Sequence, residues 1–184
     1  PKIAFYCWRP ALDQFPHKEW ARILGRHARI SVSEVRDALL DQSGEATLRK
    51  AIARLVFRFR GVKCTAEQVI IVSGLSQAID LVARLHLDAG THAVVEEPGY
   101  HHARLAFAAL GAKVHCVNVD DEGLDITALL KVKIRPKLVY VTPSHQFPSG
   151  QTMSLARRLE LLSWAQKNST VILEDDYDSE YQKV

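Results

Sequence analysis

Asp175 and Tyr177 are the residues best placed to do chemistry. They close the run Thr170-Val-Ile-Leu-Glu-Asp-Asp-Tyr177, in which β-branched and apolar residues end abruptly in carboxylates. A side-chain period of two puts Asp175 and Tyr177 on one face and Asp176 on the other, so that one carboxylate and one phenol converge if the strand extends that far. The alternative is a solvated acidic loop behind a strand. A second candidate is the turn inside Val69-Ile-Ile-Val-Ser-Gly-Leu-Ser-Gln-Ala78. Gly74 permits a tight turn, the first N–H groups of the following helix lack partners, and its dipole favours an anion. Ser76 adds a hydroxyl, and a phosphate would fit, although Ser-Gly also occurs in ordinary strand-to-helix turns. The segment has neither Gly-x-Gly-x-x-Gly nor the Gly-Lys-Ser/Thr of a P-loop.

Two further stretches join these. Glu96-Glu-Pro-Gly-Tyr100 fixes a turn that presents the Tyr100 ring, which can stack on a planar ligand or simply cap a helix from the core. Thr142-Pro-Ser-His-Gln-Phe-Pro-Ser-Gly150 carries two prolines and a glycine, a stiffer loop than a bare connection requires. His145 within it is either an acid–base group or a solvated loop histidine. His101 and His102 show no metal-ligand spacing, and no serine lies in Gly-x-Ser-x-Gly.

The elements that must position these residues follow from periodicity. Residues 1–16 carry aromatics and prolines without a period and read as an extended arm. Helical spacing starts at His17 with Trp20, Ile23 and Leu24, resumes through Val35, Leu39 and Leu40, and returns from Ala46 to Phe59 before Gly61, a left-handed cap. Thr65-Ala-Glu-Gln68 has capping-box spacing. Strands are expected at Val69–Val72, His92–Glu96, Lys113–Val119, Leu138–Val141 and Thr170–Glu174. Helices are expected at Ser76–His86, Tyr100–Leu110, Leu124–Lys131 and Ser154–Gln166, with a turn at Asp120–Gly123. Strands alternating with helices predict an α/β fold, a mostly parallel sheet flanked by helices, with ligands at the carboxyl ends of the strands.

Composition narrows the class. With 184 residues, 47% hydrophobic and 24% charged, the chain has the material for a sizeable core, and a net charge of +3 gives no general pull toward nucleic acid. The basic run from Arg54 to Lys63 places its arginines opposite apolar residues, as on a solvated helix face. Cys7, Cys64 and Cys116 are odd in number and far apart, which fits a reducing, cytoplasmic setting better than a disulfide framework. No run approaches membrane-spanning length, and no signal-peptide layout opens the chain.

Taken together, an anion-binding turn, a stacking tyrosine, a proline-framed loop and a carboxylate beside a phenol are the parts that hold pyridoxal phosphate (PLP). The ring nitrogen of that cofactor must stay protonated against a carboxylate to act as an electron sink. At this point the sequence resembles the fold-type I aminotransferases, and within them the aminotransferase-like domain of MocR (GntR-type) bacterial transcriptional regulators. The resemblance is carried by Ile71-Val-Ser-Gly-Leu-Ser-Gln-Ala-Ile-Asp80, Glu96–Tyr100, Thr142–Gly150, Glu174-Asp-Asp-Tyr-Asp-Ser-Glu-Tyr181 and, near the start, Arg9–Trp20. It implies that Gly74, Leu75 and Ser76 hold the phosphate, Tyr100 stacks on the ring, Asp175 pairs with its nitrogen and Tyr177 reaches its phenolic oxygen. Phe147 stands where general transaminases place an asparagine, and it cannot donate that hydrogen bond.

The same resemblance sets further expectations. Residues 1–62 would form an arm and helices, and residues 63–184 the first five strands of a cofactor-binding large domain, truncated before the Schiff-base lysine of a Ser-x-Ser-Lys motif. The family's carboxylate-binding arginine, two intervening strands and the preceding winged helix would lie outside the chain, and Lys183 has no matching context. Such a piece would be poorly stable alone or exist as part of a longer protein, and would be inactive by itself. The leading expectation is an effector domain that senses an amino compound or PLP, homodimeric, meeting DNA only through the winged helix and no membrane. The alternative is a genuine PLP-dependent aminotransferase. A nucleotide-binding α/β domain is supported by fold class alone.

Overall fold

The computed structural model describes residues 12–29 and 41–177. The first part of the expected arm, the helical pattern through Val35, Leu39 and Leu40, and residues 178–184 with Lys183 lie outside the described residues. The chain divides into two compact units, Pro1–Ile71 and Val72–Val184.

In the first unit, the described part of the arm is not extended. It holds a 3-10 turn, Leu12–Gln14, and sets Phe15 edge-on to Trp20 with ring centroids 5.9 Å apart. Helix α1 spans His17–His27 and helix α2 Ala46–Arg60. The Glu45 side chain accepts hydrogen bonds from the N–H groups of Thr47 and Leu48 and starts α2, while Gly61, at φ 66°, ends it in the left-handed conformation that glycine adopts without strain. Arg49 is almost fully buried on α2. It pairs with Asp41 and donates to the carbonyls of Gly44 and Ala66, at 3.0 and 2.9 Å, tying the helix to the chain on both sides. Gln68 reaches back to the Thr65 N–H at 3.0 Å across the single turn Ala66–Gln68.

The expected first strand, Val69–Val72, is not a strand. Its apolar run lies without a ladder partner among the described residues, and the Ile71 N–H instead bonds to the Ser43 carbonyl at 2.9 Å. An apolar extended segment becomes a strand only where a neighbour supplies the hydrogen-bonding edge.

The second unit is built on a five-stranded sheet. In chain order it runs α3 (Leu75–His86), β1 (His92–Glu97), α4 (His101–Ala109), β2 (Lys113–Asp120), β3 (Gly123–Leu124), α5 (Ile126–Lys131), β4 (Leu138–Val141), α6 (Leu155–Asn168) and β5 (Val171–Glu174). The strand order is β3-β2-β1-β4-β5, parallel throughout except for β3, which turns back antiparallel on β2. The stretch expected as a turn and a helix start thus contains a short strand. Arg157 of α6 holds it, donating at 2.7 Å to the Leu124 carbonyl and pairing with Asp120 and Glu122.

Alternation along the buried strands divides the core into two layers. Ala93, Val95, Leu138 and Tyr140 pack with Ile79 and Ala83 of α3 and Ala103 and Phe107 of α4 on one face. Val94, Val117, Val139 and Val141 pack with Ile126 and Leu129 of α5 and Leu161 of α6 on the other. Each fully buried large side chain contributes about 1.5–3 kcal/mol, which makes these two layers the main support of the sheet. Strand order reverses at β1, since β2 is reached on one side and β4 on the other. The crevice beyond the carboxyl ends of β1 and β4 is therefore the topological switch point, where open α/β sheets bind ligands.

Candidate functional site

Glu96, next to last in β1, is 2% exposed and lies at that switch point. Its carboxylate accepts hydrogen bonds from the Thr142 hydroxyl at 2.6 Å, the Thr142 N–H at 3.3 Å and Gln146 Nε2 at 3.2 Å. Gln146, 1% exposed, also donates to the carbonyls of Pro98 and Phe147, at 2.9 and 2.6 Å, and its oxygen accepts from the Ser149 N–H at 3.0 Å. The Thr142 hydroxyl in turn accepts from the Phe147 N–H at 3.0 Å. The Glu97-Pro98-Gly99-Tyr100 turn and the Thr142–Gly150 loop, each with a cis proline, are thus joined by a buried polar network. Gly99 is required here, because a Cβ would stand 2.4 Å from the Glu96 carbonyl oxygen.

Aromatic rings surround this junction. Tyr100 lies nearly parallel to Tyr140, with centroids 6.3 Å apart and 24° between planes, and meets Phe147 edge-on at 6.0 Å. Tyr140, fully buried in β4, donates its hydroxyl hydrogen to Asp175 Oδ2. Asp175 begins just past β5, held by its N–H to the Val141 carbonyl at 2.9 Å. The structure therefore brings Tyr100, Phe147 and Asp175 together through Tyr140. The alternation expected for the last strand stops at Glu174, and Tyr177, 48% exposed, stacks on His145 with centroids 5.8 Å apart.

The electrostatics of the site favour a positive guest. Burial pushes the Asp175 carboxyl above its usual range; the Tyr140 hydroxyl pulls it back, and the charge of Asp176 pushes it further up. Burial also pushes Glu96 up, opposed by its Thr142 and Gln146 donors and reinforced by Asp175. Tyr140 is held strongly in its neutral form by burial and by the carboxylate it serves. A cation placed beside Asp175 would favour its ionised form.

Gly74 caps α3, and its carbonyl takes the N–H groups of Gln77 and Ala78 at 3.1 and 3.2 Å. The N–H groups of Leu75 and Ser76 have no acceptor among the described residues, and a Cβ built on Gly74 would meet nothing within 4 Å. An anion has open space and two free donors there. Through Ile79, α3 packs in the same core layer as Tyr100 and Tyr140. Two surface cavities, of about 460 and 420 Å³, share no lining residue with any of these groups.

Residues 12–178 match the model of the family "Aminotransferase class I and II". The chain belongs to that family. Among its relatives, "Probable rhizopine catabolism regulatory protein MocR" of Rhizobium meliloti is 39% identical over 98% of this chain and 36% of its own length. "2-aminoadipate transaminase" of Thermus thermophilus is 35% identical over 95% of this chain and 43% of its own length. A solved structure of LysN, the α-aminoadipate aminotransferase of Thermus thermophilus in complex with N-(5'-phosphopyridoxyl)-L-leucine, superposes with a TM-score of 0.78 at 34% identity, covering 94% of this chain and 43% of that one. The chain thus spans less than half the length of these aminotransferase-family relatives, and the likeness extends to the α/β sheet with its parallel strands. Among the described residues no helix is long and apolar enough to cross a membrane.

Sequence reasoning overlooked Glu96, Thr142, Gln146 and Tyr140 as site residues. A glutamate directly after the apolar Ala93–Val95 of one strand, with a threonine one residue and a glutamine two residues ahead of the prolines in the loop after another, was the available signal for the first three.

Proposed function

We propose that this chain is the PLP-binding, aminotransferase-like effector domain of a bacterial MocR/GntR-type transcriptional regulator, sensing an amino compound or PLP. The observation that carries the reading is Asp175, a half-buried carboxylate at the carboxyl edge of the sheet, oriented by Tyr140 beside the Tyr100 ring. Gly74, Leu75 and Ser76 would hold the phosphate through free N–H groups and the Ser76 hydroxyl. Tyr100 would lie against the ring, Asp175 would keep the ring nitrogen protonated, and Tyr177 would reach the phenolic oxygen. When bound, PLP supplies an electron sink and an aldehyde that exchanges amines. Phe147 offers the ring an apolar edge and no hydrogen bond, leaving orientation of the phenolic oxygen to Tyr177.

The regulator reading draws on the MocR relative, at 39% identity over nearly the whole chain. It places the domain in a cytoplasmic homodimer that contacts DNA through a winged helix outside this sequence. Binding of an amino compound would shift a conformational equilibrium felt by the DNA-binding part. The transaminase relative, at 35% identity, supports the second reading, an amino acid transaminase with the same cofactor site.

One experiment separates them. The full-length protein is loaded with PLP and supplied with a panel of amino acids and amines while keto-acid formation and affinity for its own promoter DNA are both followed. A regulator changes DNA affinity by about 5–150-fold with one amino compound and turns over little. A transaminase forms keto acid catalytically and leaves DNA unbound.

A further inference from the structure

We propose that Glu96 is a positioning residue for a ring bound against Tyr100, its carboxylate acting through Thr142 and Gln146 to fix the Tyr100 turn and the Phe147 loop at one separation. The proposal rests on the reading of this site as a PLP site. Glu96, next to last in β1, and Thr142, the residue after β4, face each other at the switch point, and the hydrogen bonds between them span the mouth of the crevice. Gln146 extends the clasp to both loops by donating to Pro98 on one and Phe147 on the other. Tyr100 and Phe147, whose rings meet edge-on at 6.0 Å, are the aromatic groups those loops present. Their relative placement follows from the clasp.

The choice of partners separates this arrangement from simple packing. A buried carboxylate costs several kcal/mol of lost hydration, and a well-packed apolar side chain in its place is often as stable or more so. Its donors here are a hydroxyl, an amide and a backbone N–H, and no ion pair to Glu96 occurs among the described residues. Neutral donors orient the carboxyl group and bring no positive charge to the site beside Asp175, where a protonated ring nitrogen would sit. A lysine or arginine clasp would join the same loops but oppose that cation.

The test uses the full-length protein, with Glu96→Gln and, as an independent cut through the same clasp, Thr142→Val. PLP is titrated in while its visible absorption and its induced circular dichroism are recorded, and the melting temperature of each cofactor-free protein is measured alongside. The circular dichroism per bound cofactor reports how the ring is seated, which a purely structural staple would leave unchanged. Each variant should bind PLP about tenfold more weakly, the loss of one buried hydrogen bond to a charged group, and lose at least half of the dichroic band. Variants that melt lower yet bind with wild-type affinity and band shape overturn the inference and leave the site reading intact. A wild-type protein that takes up no PLP overturns both. Should Glu96→Gln fail to fold, the Thr142→Val titration decides by the same criteria.

Discussion

The Tyr140 hydroxyl donates to Asp175 Oδ2, joining the interior of β4 to the first residue beyond β5. That bond fixes the direction of the Asp175 carboxylate beside the aromatic rings. It also leaves Oδ1 for a second partner. Tyr140 is itself fixed by a core layer in which Ile79, Phe107 and Leu138 are almost wholly buried, so the packing of the sheet sets the orientation of the acid.

Asp175 gives stability a particular pH dependence. Its folded-state pKa is raised from the ordinary 3.8, so over the window above 3.8 the folded chain holds more protons at this site than the unfolded chain. Stability from this group is therefore lost as pH rises through that window. Asp175→Asn removes the loss. Urea denaturation without cofactor should show the variant gaining on the wild type as pH rises above about 4; parallel profiles would contradict the assignment.

Tyr140→Phe removes the donor and keeps the ring. The variant should lose about 1–3 kcal/mol at neutral pH and less in acid, because the Tyr140 hydroxyl favours the ionised form of Asp175 and its removal costs that form its donor. Chemical denaturation at the two pH values measures the difference.

Gly99→Ala should destabilise the second unit by about 1–3 kcal/mol, because the new Cβ would meet the Glu96 carbonyl oxygen at 2.4 Å and its carbon at 2.9 Å. Gly74→Ala meets no neighbour within 4 Å, so any loss there comes from the backbone, whose φ of 159° L side chains rarely adopt. Comparing the two melting temperatures separates a glycine required by a clash from one required by its backbone.

Phe107→Ala should cost about 3–5 kcal/mol, since the ring is fully buried between α4 and the sheet. A loss of less than about 1 kcal/mol in urea titration would mean that this layer does not support the strands carrying Glu96 and Tyr140.

The parallel core was legible in the sequence because Leu138–Val141 is apolar without alternation, the mark of a strand covered on both faces, and it is buried throughout; Val171–Leu173 carries the same pattern but, last in the sheet order, is only partly covered. Val69–Val72 carries the same pattern, yet forms no strand, since pairing depends on a neighbour that local sequence does not encode. Gly61 and the Thr65–Gln68 turn were readable for the opposite reason: caps are local chemistry. In the site, Tyr100, Phe147 and Asp175 stood out as motif residues at strand ends. The Tyr140–Asp175 bond and the Glu96 clasp did not, because each joins residues brought together by strand order alone. His145, read as either an acid–base group or a solvated histidine, stacks on Tyr177, a contact between two loops that no periodicity could foretell.

If Asp175 faces the cationic ring of a bound cofactor, its charge sets the affinity. The full-length wild type and Asp175→Asn are titrated with pyridoxal phosphate and followed by visible absorption. The wild type should hold a visibly absorbing cofactor and the variant bind it roughly two orders of magnitude more weakly, the cost of removing one member of a half-buried charge pair. Equal affinities in the two proteins would contradict it.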